Sequence, residues 1–383
     1  MGTDTPVEHV RSPRRVRVEL DSASSTPLHP AARDTLTAAL DAGWADPRRL
    51  YTSARQARLL LDNARAVVAE CLDVRPEEVS FTHTGTDAVH RGLLGLLTGP
   101  KHGGRVVHSA VEHSSVLHAV TWGATSVPVA VDRTGRVDAS AFSEAGRAAG
   151  VAAVALQHAN HEVGTVQPVD LLDLPDQTPL FVDACASMGR VSLPSRWDVV
   201  AGSAHKWGGP AGVGVLLVRH RSRWRNPFPD DDRIDERTTG FENIPAALAA
   251  AAALQAVTEE RDRLGAAQHS LIDLVRQRAG AIDDVDVVGD PVHRLPHLVT
   301  FSCLYVDGEA LVIELDKLGF GVASGSACTA STLRPSHVLE AMGALTHGNV
   351  RLSLQRDTTR EEVEAFCDAL PGVVARIRAR VGL

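Results

Sequence analysis

A lysine stands at a position where this chain seldom uses one. It lies in Ser203-Ala204-His205-Lys206-Trp207-Gly208-Gly209-Pro210, directly after the apolar run Trp197-Asp198-Val199-Val200-Ala201-Gly202. The other basic positions are written as Arg, except for Lys101 and Lys317. Arginine supplies surface charge and carboxylate binding, whereas a lysine amine can condense with an aldehyde. A lysine at the end of an expected buried strand, beside a histidine and before a glycine-rich turn, therefore reads as a Schiff-base residue. Taken alone, it would be read as an ordinary surface lysine. Other segments bear on the choice.

Thr82-His83-Thr84-Gly85-Thr86-Asp87 follows one expected strand and opens a helix. The first amides of a helix are unpaired and carry partial positive charge, so a phosphate can sit there. Gly85 allows close backbone approach, and Thr86 adds a hydroxyl. Plain N-capping, with Thr84 and Asp87 as a capping box, explains the same residues. Phe181-Val182-Asp183-Ala184 ends an apolar strand in a carboxylate, which burial penalises unless a cation pairs with it. A protonated pyridine nitrogen is one such cation, and a helix cap is the competing role. His113, in Val111-Glu112-His113-Ser114-Ser115, could stack on a ring and move protons near neutral pH, or be a loop histidine.

Two further residues lie downstream. Cys328 sits in Gly321-Val322-Ala323-Ser324-Gly325-Ser326-Ala327-Cys328-Thr329-Ala330-Ser331, a loop of small residues that suits an exposed nucleophile better than a structural thiol. Arg351, in Asn349-Val350-Arg351-Leu352-Ser353, has the forked guanidinium that suits an amino-acid carboxylate, although surface pairing is the common fate of an arginine.

The elements that must position these residues alternate. Strands are expected at 79–82, 105–108, 125–131, 151–156, 180–182, 199–202 and 213–218, with helical patterns such as 88–97 and 114–122 between several of them. That is an α/β fold with a mostly parallel sheet, buried on both faces, whose ligands bind at the carboxyl ends of strands. The polar segments above fall at those ends. After the turn-rich stretch Asn226–Asp232, an Ala-rich helix is expected over 245–278, breaking near Gly265. Strands at 299–304 and 321–324 and helices at 307–318, 335–342 and 359–379 follow, the last interrupted at Pro371. The division expected is a flexible arm (1–17), a large α/β domain (18–245), and a long connecting helix with a small α+β domain (246–383).

Composition narrows the partners. A net charge of −8 argues against nucleic acid, and the arginines 11, 14, 15 and 17 read as a solvated tail. The apolar runs are too short to span a bilayer, and Met1–Pro13 lacks the apolar stretch of a signal peptide, so a cytoplasmic protein is expected. The five cysteines are widely spaced, with no C-x-x-C pair, which indicates neither a disulfide framework nor a zinc site. The pairs His158/His161 and His293/His297 lack a matching carboxylate motif, and no metal is expected.

Taken together, the segments resemble the cysteine desulfurases, within the aminotransferase class V group of pyridoxal-phosphate enzymes of fold type I. The resemblance runs from Leu20-Asp21-Ser22-Ala23-Ser24-Ser25-Thr26-Pro27 to Arg351-Leu352-Ser353-Leu354. Its most specific parts are Ser203-Ala204-His205-Lys206, Asn160-His161-Glu162-Val163-Gly164-Thr165, and Ser324–Thr329 followed by Pro335-Ser336-His337-Val338-Leu339. It implies a seven-stranded sheet and pyridoxal phosphate on Lys206. Asp183 would meet the ring nitrogen, and His113 would stack on the ring. Gly85, Thr86, Ser203 and His205 would hold the phosphate, with Asn160 and His161 at the cofactor. L-cysteine would be held by Arg351 and Asn160. Cys328 would take its sulfur as a persulfide, leaving alanine, and pass it to an acceptor protein or thiol. The separation of Cys328 from Pro335-Ser336-His337 resembles the branch with a longer cysteine loop, and the family is homodimeric. Sulfur would go to iron–sulfur assembly, thiolated nucleosides or a specialised pathway.

Four positions depart from the family pattern. His161 stands where a second Asn is common, and Ala186 where a Gln usually contacts the cofactor. Phe241 lacks the hydroxyl of an Arg-x-Gly-Thr segment, and Asp46-Pro47-Arg48-Arg49-Leu50-Tyr51 replaces an Asn-Pro-Ser-Ser-x-His stretch. Each loss removes about one hydrogen bond, ~1 kcal/mol net, so a working but divergent cofactor site is expected. Set beside the family, the chain is expected to lack the longer tail that some members use to dock a scaffold protein. The rival readings are selenocysteine lyase, another carbon–sulfur lyase, an aminotransferase, or a degenerate non-catalytic relative. Cys328 argues against the aminotransferase, and the retained Lys206, Asp183 and Arg351 argue against degeneracy.

Overall fold

The computed structural model describes residues 17–98, 104–229, 235–324, 335–380 and 382. Cys328, the lysine Lys101 and residues 1–16 of the expected arm lie outside the described residues. In chain order the elements are β1 (Val18–Glu19), α1 (Pro30–Leu40), α2 (Thr52–Leu72), β2 (Val79–Thr82), α3 (Gly85–Leu97), β3 (Arg105–Ser109) and α4 (Ser114–Gly123). Then come β4 (Thr125–Val129), α5 (Ala139–Arg147), β5 (Val151–Ala155), β6 (Leu180–Asp183), β7 (Val199–Ser203), β8 (Gly214–Val218) and α6 (Ile244–Gly280). The chain closes with β9 (Val285–Val288), β10 (Leu298–Cys303), α7 (Gly308–Lys317), β11 (Phe320–Gly321), α8 (His337–Met342), β12 (Asn349–Ser353) and α9 (Arg360–Arg380).

Seven strands form one sheet in the order β2-β8-β7-β6-β5-β3-β4. Only β8 runs against its neighbours, so six strands share a direction and their carboxyl ends share one edge. Alternate residues serve opposite faces, as the two-residue period of a strand requires. Leu180, Val182, Val200, Val215 and Leu217 pack into a core with α1, α2 and the start of α6. Phe181, Val199, Ala201 and Leu216 face the other way, into a core with α3 and α4. Both faces are covered, which is why these strands read as continuous apolar runs.

A second core gathers Ile272, Val275 and Ala279 from α6 with Phe301, Leu352, Phe366 and Leu370 around the three-stranded sheet β12-β10-β9. Here the structure departs from sequence expectations. Leu20 is fully buried in this second core, and β1 pairs in parallel with β11, so residues 18–21 pack against the C-terminal part rather than the large sheet. The helix α6 runs through Gly265 for 37 residues without a break. A single glycine costs a helix only ~1 kcal/mol, which packing at its two ends offsets. Likewise α9 continues through Pro371, because Val363, Phe366, Leu370, Val373 and Ile377 anchor one face of it in the core. The strand expected at 321–324 shrinks to Phe320–Gly321 plus a bridge from Ala323 to Arg351. Among the described residues no helix is long and apolar enough to cross a membrane.

Candidate active site

The carboxyl ends of five strands open on one cleft. It is lined by Gly85 and Thr86 after β2, His113 after β3, Gln157, Ala159 and His161 after β5, Asp183, Cys185 and Ala186 at the end of β6, and Ser203, His205 and Lys206 at the end of β7. Sequence reasoning named eight of these residues as candidates (Gly85, Thr86, His113, His161, Asp183, Ser203, His205 and Lys206), and the fold brings all eight together.

Gly85 opens α3, and the backbone N–H groups of Gly85 and Thr86 find no backbone acceptor among the described residues. A Cβ at residue 85 would lie 2.6 Å from the Ser203 Cβ and 2.7 Å from its Oγ, so only glycine lets the two turns approach. The cap is half of a capping box. Thr84 Oγ1 accepts from the Asp87 N–H at 2.9 Å, but Asp87 accepts in return from the His83 N–H, not that of Thr84. Asp87 also pairs with the buried Arg91 at 2.9 Å. At the other turn, Ser203 Oγ lies 3.2 Å from His205 Nδ1.

Asp183 is buried, and its Oδ1 accepts from the Cys185 N–H at 2.9 Å. Opposite it, His113 Nδ1 accepts from the Ser115 N–H at 3.1 Å and lies 2.7 Å from Ser115 Oγ. That leaves Nε2 to carry the ring proton. Burial lowers the pKa of His113, Asp183 opposes that shift, and Lys206 adds to it. Burial, followed by the neighbouring basic groups His113, Lys206, Arg351 and His337, holds His161 well below the usual histidine range, so its ring is neutral at pH 7.

Arg351 and Asn160 are placed differently from the cleft-lining group. Arg351 on β12 is buried and donates to Asp21 Oδ1 at 2.9 Å, to Ser24 Oγ, and to the His161 carbonyl at 3.2 Å. Its Nε has no partner among the described residues. Asn160 is fully buried with its amide engaged: Nδ2 donates to the Val111 carbonyl at 3.1 Å, and Oδ1 accepts from the N–H groups of Glu162 and Val163, both at 2.8 Å. It shapes the turn that presents His161 and does not line the cleft.

The structure also shows participants that sequence reasoning passed over. Gln157 lines the cleft and donates to the Val111 carbonyl at 2.6 Å. Glu112, beside His113, is fully buried; one carboxylate oxygen accepts from the Gln157 N–H at 2.9 Å, the other has no partner, and burial pushes its pKa well up. Cys185 faces the cleft, and burial beside Asp183 pushes its thiol well up. Charged or reactive residues within a few positions of Asp183 and His113 were the available signal. Of the departures, Ala186 lines the cleft, whereas Tyr51 and Phe241 are exposed outside it.

An α/β sheet with a lysine, a carboxylate and a helix N-terminus at its carboxyl edge defines a class. The family model for aminotransferase class V matches residues 18–366, and the chain belongs to that family. Within it the chain sits with the cysteine desulfurases. It is 35% identical to the IscS-like cysteine desulfurase of Mycobacterium tuberculosis, over 94% of this chain and 96% of that protein. It is 32% identical to a cysteine desulfurase of Cereibacter sphaeroides, over 95% and 97%. Among solved structures, a NifS-like protein superposes with a TM-score of 0.86 at 24% identity, covering 94% of this chain and all of that one. The apo cysteine desulfurase of Thermococcus onnurineus gives 0.80 at 22%, covering 94% and 95%. These two likenesses bear on the fold.

Proposed function

We propose that this protein is a cysteine desulfurase that converts L-cysteine to L-alanine and carries the sulfur as a persulfide on Cys328 to an acceptor protein or thiol. The observation that carries the reading is the convergence of Lys206, Asp183, His113 and the Gly85–Thr86 helix start on one cleft. That donor set fits pyridoxal phosphate. Lys206 Nζ would anchor its aldehyde, Asp183 would face the ring nitrogen, His113 would lie against the ring, and Gly85, Thr86, Ser203 and His205 would cradle the phosphate. Bound there, the cofactor supplies an electron sink for the substrate's Cα.

The chain's own residues do the rest. The Lys206 amine would move protons at the substrate. His113, with Nδ1 engaged by Ser115, offers its Nε2–H toward the cleft. Arg351 would hold the substrate carboxylate with its forked guanidinium, whose Nε has no partner among the described residues. The Cys328 thiolate attacks the substrate sulfur: an S–S bond forms, the C–S bond breaks, and its electron pair stays with carbon, which takes up a proton. Burial raises the other four cysteines, Cys71, Cys303 and Cys367 to about 11 and Cys185 well above the usual thiol range, which makes them poor nucleophiles. In this reading residues 18–245 carry the cofactor and 246–383 carry the cysteine loop. The exposed apolar residues Leu50, Tyr51 and Phe241 suit a homodimer contact.

The test is a single turnover of purified protein with L-cysteine, without reductant, following alanine and the mass of the Cys328 peptide. Stoichiometric alanine with one sulfur added at Cys328, both lost in Cys328→Ala, is the expected result. A visible cofactor band with no alanine formed would overturn the desulfurase reading. Absence of any band would overturn the cofactor assignment.

A further inference from the structure

A second cavity, of about 230 Å³, lies beyond the lysine turn and shares no lining residue with the cleft. It is enclosed by Thr26–Pro30, Gly189–Arg190, Trp207–Gly208, the stretch of α6 from Val257 to Gln268, Pro296 and Gln355–Asp357. Its walls are largely apolar. A cavity of roughly 150 Å³ holds a benzene molecule, so this one has room for a ring bearing a small substituent.

Several polar groups around it lack a full set of partners among the described residues. Arg190 donates only to neutral acceptors, the Thr26 hydroxyl at 3.3 Å and the Lys206 carbonyl at 3.1 Å, and has no carboxylate partner among the described residues. Burial accordingly lowers its pKa to about 10. His29 is 9% exposed, and its Nδ1 accepts from the Ala31 N–H at 3.2 Å, which puts the ring proton on Nε2; that atom is buried without a partner. Gln355 Oε1 is likewise buried and unpartnered. The other charges are accounted for. Arg356 is paired with Glu260 at 2.7 and 2.8 Å, Arg261 lies 3.4 Å from Asp262, and Asp357 is at the exposed rim. Among the described residues, one uncompensated guanidinium and one orphaned N–H thus border a largely apolar space.

We propose that this cavity is a second ligand site, which takes a small carboxylic acid with a compact apolar body, its carboxylate on Arg190 and His29. A single unpaired cation balances a monoanion, and a guanidinium fork matches a carboxylate. The apolar walls disfavour a dianion such as phosphate, which would bring a charge with no partner. A hydroxyl or N–H beside the carboxylate would satisfy Gln355. Because Arg190 also holds the Lys206 carbonyl, an occupant would pull on the turn that carries the lysine. The proposal does not depend on which reaction the cleft performs.

Calorimetric titration of the holoenzyme with benzoate, and with its neutral analogue benzamide, tests it. Benzoate is expected to bind, with benzamide weaker by roughly tenfold or more. Arg190→Gln is expected to remove the preference for benzoate. Gly265→Leu is expected to weaken both ligands by filling the space. A Cβ at residue 265 meets nothing closer than Pro296 at 3.9 Å, so that variant should melt like the parent. No benzoate binding, equal binding of benzamide, or benzoate binding that survives in both folded variants would overturn the proposal; the last result would place benzoate elsewhere, as on Arg351.

Discussion

The rings of His113 and His161 meet edge to face across the cleft, their centroids 4.8 Å apart and their planes at 77°. The main-chain carbonyl of His161 also accepts from Arg351, so one residue touches both the histidine proposed to lie against the cofactor ring and the arginine proposed for the substrate. Its imidazole is neutral at pH 7, because burial above all, and the neighbouring His113, Lys206, Arg351 and His337, disfavour the charged form. A neutral ring can still donate one hydrogen bond, as the amide of an Asn would. His161→Asn is therefore expected to keep most of the alanine-forming activity. His161→Ala should lose about tenfold in kcat, the upper value for one neutral hydrogen bond, with the cofactor band retained. Equal losses in the two variants would show that ring shape rather than hydrogen bonding matters here.

Gly85 faces Ser203 so closely that an added methyl must push apart the two turns proposed to cradle a phosphate. Overpacking of this kind costs about 1–3 kcal/mol. Gly85→Ala is expected to weaken pyridoxal-phosphate binding by roughly tenfold or more while the fold survives, since both turns lie at the sheet edge. Cofactor titration followed by its absorption, beside a thermal melt, checks this. Unchanged affinity would remove the phosphate from this turn.

Much of this was legible in the sequence, and the reasons are local. Val199–Gly202 and Leu180–Val182 are buried on both faces, so their apolar runs announce strands, and the polar residue that ends each run falls at the carboxyl edge. The residues around Arg351 were harder to read. Its partners Asp21 and Ser24 lie some 330 residues earlier in the chain, and they reach it only because β1 and Leu20 pack into the second core. No local pattern signals such a pairing. Asn160 shows the opposite difficulty: a polar residue in a distinctive motif reads as a ligand, whereas its amide is taken up in forming the turn. Gly265 and Pro371 mislead because propensity is weak against tertiary burial, and α6 and α9 are held by cores on either side of the breaker.

Cys185 offers a control on sulfur transfer. It lines the cleft, so position alone would allow it to meet substrate, but burial and the adjacent Asp183 keep its thiol protonated. A protonated thiol is a poor nucleophile. Cys185→Ala is expected to keep kcat within about twofold, a change of less than ~0.5 kcal/mol in barrier, and the persulfide should appear on Cys328 in both proteins. Sulfur found on the Cys185 peptide would mean that bound substrate changes its ionisation.

Glu162 should give the protein a pH dependence that activity assays alone would miss. Its Oε2 accepts from Ser336 Oγ at 2.8 Å, its Oε1 is buried without a partner, and burial raises its pKa to about 7. The folded state therefore binds a proton that the unfolded chain, with an ordinary carboxyl pKa, has already released. Stability relative to a neutral side chain is fully kept below the unfolded value, declines as pH rises toward 7, and stays at the lower level above it. The shift from 4.5 to about 7 corresponds to at most about 3 kcal/mol. Glu162→Gln preserves the acceptor for Ser336 and removes the charge. Urea unfolding is expected to show the variant more stable than the parent at pH 8, with the gain shrinking toward zero near pH 4.5. A gain independent of pH would mean that Glu162 has the same pKa in the folded and unfolded protein. A loss at pH 8 would mean that its charge is met by Arg351 more fully than the orphaned oxygen implies.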